Sequence, residues 1–333
     1  MLAAIVATFA ASAVASAGQR IKIETIEFSS GTNKLEGVLY LPERDEPVPL
    51  LILYHAASGG SVDFPFYEHL RTTLPRVGIA TFLYDRRGTN GQPGEFRTAS
   101  FETLARDGIA AARFLRNHPH IDANRIGAWG VSQGGWVAPI AARLTDDVSF
   151  VISVSGPGVS PAEQMAFTSA FHIKEAGFGE SVVETALDLR SRVDEYYRNP
   201  DPTKRDGVAA LIDSFRREKW FHLVFLPNGG YLPDDVTTTK WYQEMDFDPT
   251  VTLRELEVPF LAIFGGKDRW VPVDASVAAI QGAVQKDILS IFVSEDSGHF
   301  MSGSPEGPNY SGEDSVEQGY IERMIHWVEG LQP

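Results

Sequence analysis

Gly130-Val131-Ser132-Gln133-Gly134 is the stretch on which the reading of this chain turns. The residues before it, Arg125-Ile126-Gly127-Ala128-Trp129, read as a short buried strand, and Gln133 to Leu144, rich in alanine and apolar side chains, reads as a helix. A serine at such a strand-to-helix corner sits on a sharp, strained turn that thrusts its hydroxyl out of the backbone. Glycines flank it because side chains would collide where strand and helix approach so closely. In a chain with 30 glycines among 333 residues, the five-residue pattern alone is weak. It gains force if an acid and then a histidine follow at the ends of later strands.

Both follow. The apolar run Val258 to Phe264 ends in Gly265-Gly266-Lys267-Asp268, and the strand-like Ile288 to Val293 is followed by Asp296-Ser297-Gly298-His299-Phe300. Ser132, Asp268 and His299 are therefore the candidate catalytic residues. A serine hydroxyl is a poor nucleophile near neutral pH, so His299 must take its proton and later return it to the leaving group. Asp268 would hold the imidazole in the correct tautomer and stabilise the imidazolium. Asp274 and Asp296 are the alternatives for the acid, and His326 falls inside a terminal helix. A tetrahedral oxyanion also needs fixed N–H donors. The backbone N–H of Gln133 is one candidate. The other is Ala57, in the loop His55-Ala56-Ala57-Ser58-Gly59-Gly60 after an apolar strand.

Working outward, Ile21 to Phe28 and Leu35 to Leu41 alternate apolar and polar residues about Gly31-Thr32-Asn33, the pattern of an antiparallel edge hairpin. Pro49 to Tyr54, Ile79 to Tyr84 and Phe150 to Val154 are apolar runs suited to strands covered on both faces. Phe101 to Asn117 has a helical repeat. Strands alternating with helices imply an α/β fold, a doubly wound and mainly parallel sheet whose ligands bind beyond the carboxyl ends of the strands. Between Gly156 and about Thr250 the pattern changes to helices. Ser160-Pro161-Ala162-Glu163 is a capping box opening a helix to about Ala176. Ser181 to Glu184 repeats the signature for a helix ending before Asn199-Pro200, and a third helix is expected from about Arg205 to Trp220. Residues 157–250 thus read as a helical cap inserted into a core of 18–156 and 251–333. Trp220, Phe221, Phe225, Tyr231, Trp241 and Tyr242 are expected to form the core of that cap or to line a pocket under it.

A formal charge of −15 repels phosphate backbones, so nucleic acid is not an expected partner. The chain has no cysteine, which excludes disulfides and thiolate chemistry. His118-Pro119-His120 reads as a solvated loop, and neither a metal nor a cofactor is expected. Met1 to Ala17 is uncharged and apolar and ends in Ala15-Ser16-Ala17, like the core and cleavage site of a secretory leader, although it lacks a basic start. Export with a mature start at Gly18 is the expectation, and an uncleaved N-terminal anchor is the alternative.

Taken with Tyr84-Asp85-Arg86-Arg87-Gly88, Val154-Ser155-Gly156-Pro157-Gly158 and Ser297-Gly298-His299, these stretches resemble the α/β-hydrolase superfamily. Within it, the resemblance is to esterases and peptidase-like hydrolases related to dienelactone hydrolase and prolyl oligopeptidase catalytic domains. It covers roughly residues 22–331, least well in the cap. It implies a serine hydrolase of the carboxylesterase type, working on a small ester or acyl substrate through an acyl-serine intermediate. Aminopeptidase-like or thioester hydrolysis with the same triad is the alternative, and a non-catalytic binding module the remote one. Ala56 departs from the glycine that relatives commonly carry after the histidine. The Asp85-Arg86-Arg87-Gly88 turn is expected to brace the site from beneath, and Ser302 to Gly312 to form a rim beside it.

Overall fold

The computed structural model describes residues 19–303 and 316–331. The leader and most of the expected rim segment lie outside these residues. Among the described residues an eight-stranded sheet runs in the order β1-β2-β4-β3-β5-β6-β7-β8. Its strands are β1 (Ile21–Ser30), β2 (Asn33–Pro42), β3 (Val48–Tyr54), β4 (Ala80–Tyr84), β5 (Ile121–Val131), β6 (Phe150–Val154), β7 (Phe260–Gly265) and β8 (Leu289–Ser294). β2 is antiparallel to both β1 and β4, and every other neighbouring pair is parallel. The hairpin closes on the pair Ser30 and Asn33, with Gly31 at φ +60° supplying the left-handed turn residue.

β3 is buried along its whole length. Leu50, Ile52 and Tyr54 enter one core layer while Leu51 and Leu53 enter the other, as the two-residue period of a strand requires. The first layer packs under α3 (Phe101–Leu115), α4 (Gly134–Leu144) and α10 (Val273–Ala283). The opposite layer lies under the short α1 (Glu68–Arg71) and α2 (Thr73–Arg76) and under α11 (Gln318–Gly330), whose Tyr320, Met324 and Val328 are fully buried. Trp129 of β5 is likewise fully buried there. Each such side chain contributes about 1.5–3 kcal/mol by leaving water.

Between β6 and β7 the chain leaves the sheet for α5 (Pro161–Glu175), α6 (Glu180–Arg198), α7 (Arg205–Phe215) and α8 (Lys240–Glu244), and returns through α9 (Pro249–Arg254). The helices α5 to α8 have an apolar cluster of their own, with Ile173, Leu189, Val193, Tyr197, Ile212 and Trp220 at its centre. The capping box forms: Glu163 N–H donates to Ser160 Oγ at 3.3 Å, and Ser160 N–H donates to Glu163 Oε2 at 3.0 Å. Other helix boundaries differ from the sequence expectation. α6 starts at Glu180, since the Gly179 carbonyl already accepts from Val182 and Val183, and Ser181 falls inside the helix instead of capping it. α7 ends at Phe215, where Glu218 N–H turns back to the Phe215 carbonyl and the chain proceeds through short turns. β5 begins at Ile121 instead of Arg125, because Ile121 pairs with Val48 ahead of a register shift in β3.

Candidate active site

Ser132 occupies the corner between β5 and α4 with φ +54°, a left-handed conformation that costs a side-chain-bearing residue about 1–3 kcal/mol. The corner is held by the Ser132 N–H, which donates to the Val154 carbonyl of β6 at 2.9 Å. A Cβ on Gly130 would stand 2.0 Å from the Gly134 carbonyl oxygen, and one on Gly134 would stand 2.0 Å from that of Tyr54. Strand, corner and helix can thus only meet here without side chains, which is the physical content of the motif.

Asp268 follows β7 and is buried. Its Oδ1 accepts the N–H groups of Trp270 at 2.7 Å and Val271 at 3.0 Å, which fixes the carboxylate plane. Its Oδ2 lies 2.7 Å from His299 Nδ1. With the carboxylate accepting, Nδ1 carries the proton and the Nε2 lone pair is left for another donor. The loop bearing His299 is pinned by its own backbone. Gly298 N–H donates to Ser302 at 3.0 Å, Met301 N–H to Gly298 at 3.0 Å, and Lys267 N–H to Ser297 at 2.9 Å. Asp296 is exposed and pairs with Lys267 Nζ at 2.7 Å, while Asp274 stands in the first turn of α10 and His326 within α11.

The loop from His55 to Gly60 is clamped from two sides. Arg86 Nη1 donates to the Ala56 carbonyl at 2.9 Å and Nη2 to the Ala57 carbonyl at 3.1 Å, while its backbone N–H donates to Gly60 at 2.8 Å. Tyr67 accepts the Ala56 N–H at 3.3 Å and donates to the Gly59 carbonyl at 3.0 Å. His55 lies 2.5 Å from the Tyr84 carbonyl through Nε2 and 3.3 Å from the Tyr67 hydroxyl through Nδ1. Burial, then the nearby Arg86 charge, pushes its pKa down to about 4, so it is neutral. In a trans peptide C=O and N–H point in opposite directions. Pinning the Ala56 carbonyl to Arg86 therefore turns the Ala57 N–H away from the guanidinium. Ala56 does not take a positive φ, so its Cβ brings no backbone strain to this loop. The Asp85-Arg86-Arg87 turn supports the loop and also reaches α3, where Arg87 Nη2 bonds buried Asp107 at 2.6 Å. The Tyr67 and His55 contacts have no sequence signal, because they join residues far apart in the chain.

Ser132, Gln133, Ala57 and His299 line one cavity of about 900 Å³. Asp268 stands behind His299 and does not line it. The cavity wall is strongly aromatic, with Phe96, Phe101, Trp136, Trp241, Trp270 and Phe300. Of the six aromatic residues singled out in the later helical segment, Trp241 alone lines this cavity, Trp220 is core, and Tyr231 and Tyr242 are exposed. Sequence reasoning missed a charged pair in the wall. Lys240 Nζ donates to Glu244 Oε1 at 2.5 Å and to the Ala99 carbonyl at 2.6 Å, and it lies over the rings of Phe96 and Phe101. Burial pushes the Glu244 pKa up to about 7 against the opposing pull of Lys240, and lowers that of Lys240. Among the described residues no three His, Asp or Glu side chains group as metal ligands, and no helix is long and apolar enough to cross a membrane.

The profile of the alpha/beta hydrolase family matches residues 50–307. The chain is 23% identical over 263 residues to an uncharacterized 31.7 kDa protein of Escherichia coli, covering 78% of this chain and 86% of that one. To an esterase of Thermotoga maritima it is 21% identical over 305 residues, covering 89% of this chain and 66% of the relative. In fold it matches an esterase of Pyrococcus furiosus with a TM-score of 0.57 at 14% identity, over 93% of this chain and 91% of the other. With a profile match running from β3 past β8, and with the sheet order and strand-to-helix corner described above, this chain belongs to the alpha/beta hydrolase family.

Proposed function

We propose that the chain is a serine hydrolase that cleaves carboxylic esters through an acyl-serine intermediate. The observation that carries this reading is the 2.7 Å bond between Asp268 Oδ2 and His299 Nδ1, beside a cavity whose wall includes both His299 and Ser132. In the first half of the reaction His299 Nε2 takes the proton of the Ser132 hydroxyl as its oxygen attacks the ester carbonyl. The imidazolium, stabilised by Asp268, then returns the proton to the departing alcohol. In the second half water replaces the alcohol, and the acid leaves. The negative charge that develops on the carbonyl oxygen is received by the N–H groups of Gln133 and Ala57. Arg86 is a positioning residue in this scheme, since it orients the peptide whose N–H belongs to Ala57.

Residues 157–250 act as a cap over the site: Gln164, Met165, Asn228 and Trp241 from this segment share the cavity with Ser132. The cavity is predominantly apolar and aromatic, which favours an ester over a highly charged substrate. Hydrolysis of a panel of p-nitrophenyl esters by the wild type beside Ser132→Ala tests the reading. Turnover abolished by the substitution is the expected result, and turnover surviving in Ser132→Ala would overturn it.

A further inference from the structure

The aromatic cavity contains buried and partly buried polar side chains that the hydrolytic scheme does not use, Gln164 and the charged pair Lys240 and Glu244 among them. Lys240 and Glu244 are one helical turn apart on α8, which brings both side chains to the same wall. Lys240 spends one ammonium proton on the Ala99 carbonyl and another on Glu244 Oε1, leaving the third. Glu244 Oε2 has no hydrogen-bond partner among the described residues, although the side chain is only 8% exposed. That oxygen is not among the sealed polar atoms without a partner, so it opens on the cavity, where a polar group brought by a ligand can take the place of its water.

We propose that Lys240 and Glu244 form a recognition site for a neutral hydroxyl on an aryl-bearing substrate. The proposal rests on the hydrolytic reading above and names its substrate class. A hydroxyl is matched to this pair in kind, since it donates to Glu244 Oε2 and accepts from the free Lys240 proton. A substrate ammonium would face Lys240, and a substrate carboxylate would face Glu244. Above about pH 7, where Glu244 is ionised, the pair is neutral as a unit and offers no net charge to attract either ion. Arg97, which also lines the cavity, is exposed, where water screens it. Arg86 already covers the Phe96 ring at 3.3 Å, so the apolar surface for an aryl group beside the hydroxyl comes from the wider aromatic wall, which includes Trp241, Trp270 and Phe300.

The test compares ethyl 3-phenylpropanoate with its 4-hydroxy, 4-methoxy, 4-aminomethyl and 4-carboxy derivatives, with the same substituents also presented on benzyl acetates. In the wild type, kcat/KM for a hydroxy ester should exceed that of its unsubstituted and methoxy counterparts by about tenfold or more. In Glu244→Gln and Lys240→Met the ratio should shrink to below about threefold. An equal rate across the series, a preference for the ammonium or carboxylate esters, or a hydroxyl preference unchanged in both variants would each overturn the proposal. Calorimetry on Ser132→Ala separates this from a failure of the hydrolytic reading. There 3-(4-hydroxyphenyl)propanamide should bind about tenfold tighter than 3-phenylpropanamide whether or not the protein turns over esters. Equal affinity, or no binding of either amide, would overturn the proposal.

Discussion

The Arg86 guanidinium holds the Ala56 carbonyl oxygen at 2.9 Å and so fixes the plane of the peptide that ends in the Ala57 N–H. Loss of this hold should affect the charge that develops during reaction and leave substrate binding almost untouched. Arg86→Gln is expected to lower kcat by about tenfold to a hundredfold, somewhat less than removing an oxyanion donor outright, with KM within about threefold. Affinity for a trifluoromethyl ketone, which forms the same oxyanion, should fall in parallel with kcat/KM. An increase in KM at constant kcat would assign Arg86 to substrate binding and remove it from this role.

Asp268 has a divided task, with one oxygen on backbone N–H groups and the other on His299. Asparagine can keep its carbonyl oxygen on the Trp270 and Val271 N–H groups, but then presents an NH2 group to His299. The imidazole must change tautomer to meet it. Asp268→Asn should therefore stay folded, with Tm within a few degrees of the wild type, and lose about 10⁴-fold in kcat. Activity within about tenfold of the wild type would show that another acid serves His299.

Glycines in this chain separate into those the packing requires and those it does not. Gly130→Ala places a methyl group 2.0 Å from a carbonyl oxygen in the strand-to-helix corner, and neither backbone can retreat without breaking β5 or α4. A loss of more than about 4 kcal/mol, or no soluble protein, is expected. Gly282 lies in α10, and nothing stands within 4 Å of the point a methyl group would occupy, so Gly282→Ala should stabilise by about 0.5–1 kcal/mol. Urea unfolding of the two variants measures both values, and similar stabilities would refute the packing argument.

Most of the sheet is legible in the sequence because burial on both faces leaves an unbroken apolar run, as in Pro49 to Tyr54, and because an edge hairpin alternates. The order of Ser132, Asp268 and His299 is legible for the same reason, since each follows a strand that the apolar pattern already marks. The wall of the cavity is not. Trp241, Lys240 and Glu244 reach it through the placement of α8, a five-residue helix whose position depends on packing against distant segments such as Ala99 and Asp194. Local periodicity contains no trace of those contacts. The clamp of His55, Tyr67 and Arg86 is hidden likewise, for its hydrogen bonds link the ends of different strands and loops to one another.

Three buried groups give the chain an unusual acid response. His55 and His69 are neutral in the folded state, with pKa values pushed down to about 4 and about 3, chiefly by burial. His69 sits against Phe66 and Trp129 with its Nε2 on the Tyr320 hydroxyl at 2.9 Å, and has no room for a solvated imidazolium. Once unfolded, both take up protons near the ordinary value of 6.5. Their contribution to stability is therefore present above that pH and is lost as pH falls, down to about 4 for His55 and about 3 for His69. Glu244 acts in the opposite sense. Its pKa of about 7 in the fold lies above the ordinary 4.5, so the folded state holds the extra proton and this group gains stability as pH falls across that interval. Each proton contributes about 1.4 kcal/mol per pH unit, so between about pH 6.5 and 5 two losses should outweigh one gain. Urea unfolding at several pH values from about 7 to 5 is expected to show His69→Gln with a shallower acid loss than the wild type and Glu244→Gln with a steeper one. The same slope in all three proteins would mean that these side chains titrate alike in the folded and unfolded states.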